Sequence, residues 1–219
     1  MRTLAVLPVK AFSDSKQRLA DELSVGPRRA LSEAMFSDVL IALRRARSVD
    51  SILVISSEHI AQRIAGGHGA SVLEDRGVGH SEAARIGVAH ALESGFERAL
   101  LVPGDCPLLA PNEVDELIAH PVAARSALIV PDRHRTGTNA LLLTPPDALT
   151  PTFGPGSCLR HQQVAAGQGA HAELVDVPTL ALDVDTPDDL AALRHTLEHT
   201  RGGAAHTRGM LNQLTRSRA

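Results

Sequence analysis

Short apolar runs of strand length alternate along the chain with longer stretches whose apolar residues recur every three to four positions. That is the order of βα units, which lay down a largely parallel sheet with helices on its faces. Strands are expected at Thr3 to Val9, Ser51 to Ser56, Ala70 to Glu74, Arg98 to Pro103, Ala127 to Pro131, Ala140 to Thr144, Ala172 to Val177 and Leu180 to Val184. The first long helix is expected from Pro27, with Leu31, Met35, Val39 and Leu43 on one face. It ends at Arg44, Arg45 and Arg47, where the helix dipole favours cations. Further helices are expected at Glu58 to Ala65, Ser81 to Ser94, Pro111 to Ala119 and Thr186 to His199, and a candidate helix follows Ser157. The last stretch, 201–219, is rich in Gly, Thr and Arg and lacks sustained apolar periodicity. It is expected to be a disordered tail, leaving a single α/β domain over 1–200.

The 219 residues are 43% hydrophobic and 21% charged, a balance that supports one core. A net charge of -3 removes the basic field on which non-specific nucleic-acid binding relies. With no Trp, no Tyr and four Phe, the chain also lacks rings on which to stack bases or cage an ammonium group. The two cysteines, Cys106 and Cys158, cannot build a disulfide framework, and the first apolar run is cut by Pro8 and Lys10, too short for a signal peptide or a membrane span. A reduced, cytoplasmic protein without nucleic-acid or membrane partners is expected. No helix face is apolar enough to announce an interface, so monomer and homodimer both remain open.

Ligands of open α/β sheets bind beyond the carboxyl ends of the strands, and three polar segments fall there. After the first strand come Lys10, Lys16 and Arg18, cations able to neutralise phosphate oxygens; an ordinary solvated loop is an equal reading. It is not a Walker A loop. The run Leu100-Leu-Val-Pro-Gly-Asp105 delivers a carboxylate at a strand end, either as a Mg²⁺ ligand or as a turn or helix cap. In Asp183-Val-Asp185-Thr-Pro-Asp-Asp189, a capping box of Thr186 and Asp189 with Pro187 at the first helical position accounts for everything except Asp183 and Asp185. These two, spaced to share one face, repel each other without a cation, which favours a divalent metal site.

Weaker signals lie between. Phe153-Gly-Pro-Gly-Ser157 reads first as a turn and second as an anion site at a helix N-terminus, and Thr136-Gly-Thr-Asn139 reads as a hairpin turn. The Asp75 to Ser81 segment lacks the third glycine of a dinucleotide fingerprint, though Gly77 and Gly79 allow close approach to a base or ribose. His195 and His199 have metal-ligand spacing but no third partner in the pattern, so a solvated helix face is expected. Cys106 has no positioned base and is expected to be a small buried residue.

Taken in order, Pro8-Val-Lys10, Lys16-x-Arg18-Leu, Gly104-Asp105-x-Pro-Leu, Thr136-Gly-Thr138, Phe153-Gly-Pro-x-Ser157 and Asp183-Val-Asp185-Thr-Pro resemble the phosphoenolpyruvate/2-phospho-L-lactate guanylyltransferase family of coenzyme F-420 biosynthesis. The resemblance runs from about Arg2 to Leu193. It implies a Rossmann-like nucleotidyltransferase domain of glycosyltransferase-A type, with a mixed, mostly parallel sheet, GTP as co-substrate and Mg²⁺ as cofactor. The acceptor it implies is phosphoenolpyruvate, as in bacterial members; archaeal relatives use 2-phospho-L-lactate, and 3-phosphoglycerate is a further alternative.

Carried over by motif, Asp105, Asp183 and Asp185 would bind Mg²⁺. Thr138, Gly154 and Ser157 would hold phosphoenolpyruvate. Pro8, Val9, Lys10, Lys16, Arg18, Asp75, Gly79 and Ser81 would contact GTP, and Asp105, Asp183, Lys10 and Lys16 would carry the catalysis. This chain has His80-Ser81 where relatives often carry Asn. Two other readings are a GTP- or CTP-dependent transferase of the same fold, whose glycine-rich opening loop Pro8-Val-Lys10 does not match, and a silent nucleotide-binding regulator, which has no need of all three carboxylates.

Overall fold

A computed structural model describes residues 1–12, 16–75 and 79–216. Seven strands form one sheet: β1 (Thr3–Pro8), β2 (Ser51–Ile55), β3 (Ser71–Leu73), β4 (Arg98–Leu101), β5 (Ser126–Pro131), β6 (Thr138–Thr144) and β7 (His171–Leu174). Their order is β3-β2-β1-β4-β6-β5-β7. All neighbours are parallel except β6, which runs antiparallel to β4 and β5. The chain goes outward from β1 to β2 and β3, then returns to β4 on the other side of β1. The carboxyl ends of β1 and β4 therefore diverge at a switch point, where such sheets open a crevice.

The helices are α1 (Val25–Arg45), α2 (His59–Gly67), α3 (His80–Glu93), α4 (Pro111–Ala119), α5 (Ser157–Gly167), α6 (Pro187–His199) and α7 (Ala205–Arg216). Period-two alternation sends strand residues into two separate cores. Leu7, Val54, Leu100, Leu128 and Leu142 pack beneath α1, α2 and α4, whereas Val6, Leu53, Leu101, Ile129 and Leu141 pack beneath α3 and α5. Gly87 lets α3 lie against β1, since a Cβ there would stand 2.2 Å from Val6 Cγ1. The α3 N-terminus is thereby held beside the end of β1.

Two expectations are corrected. The Leu180 to Val184 segment is not a strand. Pro178 opens a 3-10 turn ending at Leu180, and the backbone beyond it bonds to loops: Arg133 N–H donates to the Ala181 carbonyl and Val184 N–H to the Asp105 carbonyl. The region 201–219 is not a disordered tail as far as it is described, to Arg216. It forms α7, which buries Thr207, Leu211 and Leu214. Leu211 and Leu214 join Leu31 and Met35 of α1 and Leu190, Leu193 and Leu197 of α6 in a third core. The helix starts on a cap borrowed from α1: the Asp38 carboxylate accepts hydrogen bonds from His206 N at 3.1 Å, Thr207 N at 2.8 Å and Thr207 Oγ1 at 2.7 Å. Leu211 and Leu214 carry too short an apolar stripe to show alone, and the residue that caps the helix stands 168 positions earlier. Smaller boundary shifts occur at Val25, two residues ahead of Pro27, and at Thr138, where β6 begins two residues early.

Candidate active site

Beyond β1 and β4, three distant pieces of chain meet on one ammonium group. Lys16 Nζ contacts an oxygen of Asp105 and lies 2.7 Å from Asp185 Oδ1, with its side chain only 5% exposed. Burial disfavours that charge, but the carboxylates of Asp105 and Asp185 outweigh it and hold the Lys16 pKa above the usual lysine range. The Val184 N–H to Asp105 carbonyl bond pins the two acidic segments together. On either side of buried Val184, Asp183 and Asp185 are both less buried, so the alternation read from the sequence persists without a strand.

Asp183 accepts a hydrogen bond from Asn139 Nδ2 at 3.2 Å. Its pKa is pushed from 3.8 to about 6, first by burial and then by the Asp105 carboxylate, against the Asn139 donor. The other Asp105 oxygen, Oδ1, is buried with no hydrogen-bond partner among the described residues. Such an orphaned oxygen, a second carboxylate resisting ionisation and a cation already held between Asp105 and Asp185 are the marks of a site suited to a divalent oxygen-seeking ion.

Pro8, Val9, Lys10, Lys16, Asp105 and Asp185 line one cavity of about 360 Å³, together with Phe12, Ser32 and His80. His80 also borders a neighbouring cleft of about 910 Å³, lined by Leu73, Glu74, Gly79, Ser81, Glu82 and Arg85. Gly79 caps α3 with φ +97°, a conformation that suits glycine, so Ser81 enters the cleft from the first turn. On the other side, Thr138, Asn139 and Phe153 meet His80 and Pro8 around a small gap between the strands' ends. Burial lowers the His80 pKa, with Asp105 raising it and Lys10 lowering it further.

The structure thus brings Lys10, Lys16, Asp105, Asp183, Asp185 and Thr138 to one crevice. Arg18 is not brought in: it lies in the 3-10 turn Gln17–Leu19 and is exposed. Asp75 flanks the cleft beside Glu74, and Gly77 lies outside the described residues. Gly154 (φ +116°) and Ser157, buried as the first residue of α5, follow Phe153 in the turn that enters the helix. Cys106 is fully buried and its thiol pKa is raised by burial, then by Asp105, which fits a packing role. Glu198 joins His195 and His199 in a cluster at the far end of α6, and all three are exposed as a solvated face would be.

Sequence reasoning missed His80, Asn139 and His161. Asn139 adjoins Thr138 in a motif already singled out and His80 stood out only as a departure from relatives, whereas nothing local marks His161.

The chain matches the family model described as guanylyl transferase, CofC-like, over residues 3–216. It belongs to that family. It is 52% identical over 219 residues to a phosphoenolpyruvate guanylyltransferase of Conexibacter woesei, covering 99% of this chain and 98% of that protein. A 2-phospho-L-lactate guanylyltransferase of Methanothermobacter thermautotrophicus is 33% identical, with 98% and 92% covered. A crystal structure from Desulfovibrio desulfuricans G20, described as a nucleotide-diphospho-sugar transferase, superposes with a TM-score of 0.77 at 16% identity, covering 97% of this chain and 95% of the other. The mixed sheet is therefore the nucleotidyltransferase fold, and this member of the guanylyltransferase family carries its carboxylates and lysines at the crevice of that fold.

Proposed function

We propose that the protein transfers GMP from GTP to phosphoenolpyruvate, giving enolpyruvoyl-2-diphospho-5'-guanosine and pyrophosphate in coenzyme F-420 biosynthesis. The observation that carries this reading is the convergence of Asp105, Asp183 and Asp185 with Lys16 at the ends of β1 and β4, between two clefts. The larger cleft, with Gly79 and Ser81 on its wall and Asp75 beside it, suits the guanosine. The smaller one, with Lys10 and Lys16, suits the triphosphate. Thr138, Gly154 and Ser157 are assigned to the acceptor. Asp105, Asp183 and Asp185 fit Mg²⁺, which when bound supplies positive charge to the triphosphate and to the pyrophosphate that leaves.

An acceptor phosphate oxygen attacks the α-phosphorus of GTP in line. The bond from that phosphorus to the bridging oxygen breaks, and its electron pair departs with pyrophosphate. The acceptor phosphate is already ionised near neutral pH, so no protein base or nucleophile is needed. Lys10 and Lys16 offset the repulsion between two anions, and the crevice supplies their alignment.

Phosphoenolpyruvate is favoured over the other acceptors because three relatives named for it share 52%, 41% and 39% identity, against 36% and 33% for relatives named for 3-phospho-D-glycerate and 2-phospho-L-lactate. The reading is of a cytoplasmic enzyme of small molecules, monomeric or homodimeric; among the described residues no helix is long and apolar enough to cross a membrane. The test is pyrophosphate release with Mg²⁺, crossing four nucleoside triphosphates with the three acceptors. Release with GTP and phosphoenolpyruvate alone is expected. Release only with another acceptor changes the substrate, and binding of GTP without release under any acceptor points to a silent regulator.

A further inference from the structure

A buried histidine stands directly behind the proposed acceptor site and takes no part in the steps above. His161, one turn into α5, is 0% exposed. Its Nε2 lies 2.9 Å from the backbone nitrogen of Thr152, and its Nδ1 lies 2.9 Å from Thr138 Oγ1. Phe153 packs edge-on against the ring at 5.1 Å and 77°, and on its other side meets His80 at 5.0 Å.

These contacts fix where each proton sits. A backbone N–H can only donate, so Nε2 must accept from Thr152. Burial, and secondarily Arg160, lower the His161 pKa to about 4, so the ring is neutral and its one proton lies on Nδ1. That N–H donates to Thr138 Oγ1. A hydroxyl that accepts from Nδ1 keeps its own hydrogen for another acceptor, and among the described residues nothing takes it. Thr138 is 9% exposed and borders the gap shared with His80 and Pro8.

The geometry points to His161 as a positioning residue that turns the Thr138 hydroxyl into a fixed donor for an anionic oxygen of the acceptor. This rests on the assignment of Thr138 to the acceptor. With the other tautomer, Nδ1 would take the threonine hydrogen and turn oxygen lone pairs towards the substrate's negative charge, which would repel it. The consequence is selectivity for acceptors presenting a phosphate or carboxylate oxygen at that point, all of which accept and none of which donates.

Two conservative variants separate positioning from packing. In H161N the amide nitrogen takes the place of Nδ1 and keeps the donor to Thr138; in H161Q the amide oxygen takes the place of Nε2 and keeps the partner of Thr152. The proposal expects H161Q to raise KM for phosphoenolpyruvate about tenfold, with KM for GTP unchanged. H161N should recover most of that loss, and H161Q should have no further effect in a T138V background. Loss in H161N with recovery in H161Q, equal changes in both KM values, or additive effects with T138V would overturn it.

Nitrogen-15 NMR of labelled histidine in the unaltered protein gives a readout that needs neither turnover nor a folded variant. The ring should be protonated on Nδ1 and bare on Nε2 at neutral pH, and the Nδ1 resonance should move when phosphoenolpyruvate is added with GTP and Mg²⁺. A ring protonated on Nε2, or a resonance that no acceptor of the three moves, refutes the proposal. If pyrophosphate is released only with another acceptor, the shift follows that acceptor, and the substrate assignment fails while the role of His161 stands.

Discussion

Asp183 shows how far the neighbours of one side chain can shift its ionisation. Half-buried beside Asp105, it resists ionisation until about pH 6, whereas in the unfolded chain it ionises near 3.8. Between those values the folded state holds a proton that the unfolded state has released, so this group's contribution to stability falls as pH rises through that window. His161, neutral in the folded protein down to about pH 4 but protonated below 6.5 in the unfolded chain, adds stability across the same window, so the expected signature in metal-free protein is a difference: from about pH 4 to above pH 6 stability climbs more steeply with pH in Asp183→Asn than in the unaltered protein. Thermal melts of both proteins in chelator at stepped pH read it. The same substitution, and Asp105→Asn, should abolish pyrophosphate release while leaving a folded protein by circular dichroism. Full activity in either folded variant would overturn the proposal that this residue binds Mg²⁺. Asn139, which donates to Asp183 and to the Leu180 carbonyl, is the residue that keeps this carboxylate aimed.

At the scale of elements, α1 does more than cover the sheet. Phe36, Val39, Leu40 and Leu43 pack on the sheet, Leu31 and Met35 face α6 and α7, and Asp38 caps α7 from the side. Removing that carboxylate strands two backbone N–H groups and a hydroxyl, so Asp38→Ala should cost about 2 kcal/mol and lower Tm by about 5 °C. Hydrogen exchange should show the loss concentrated in α7, with GTP binding retained. Equal loosening of β1 and β4 would mean that α7 is not a separable layer. The α6 capping box is the opposite case. Thr186 and Asp189 bond to each other's backbone within four residues, at 3.2 and 2.8 Å, so a local pattern sufficed to read it.

Across the whole molecule, Lys16 joins the loop after β1 to the loop after β4 and to the segment before α6. Without it, Asp105 and Asp185 lose their shared cation and face Asp183 uncompensated. Lys16→Met should therefore destabilise the metal-free protein by about 1 to 2 kcal/mol, a figure reduced because both partner carboxylates keep some contact with water. Added Mg²⁺ should restore more stability to this variant than to the unaltered protein, as measured by Tm with and without the ion. No restoration would mean that the carboxylates are not a cation site.

By itself the sequence determined the βα alternation, the seven strands that pair, the capping box and the Asp183/Asp185 pair, because each is set by spacing within a few residues; Lys10, Lys16 and Asp105 stood out only through the ordered set of motifs that resembles the guanylyltransferase family. The tertiary structure decided the rest. It turned Leu180 to Val184 into a loop pinned to Asp105, made a helix of residues 205–216 on a borrowed cap, left Arg18 exposed, and placed His161 behind Thr138. These depend on partners dozens to well over a hundred residues away. Burial and hydrogen bonds between such partners leave no periodic mark on either stretch of chain.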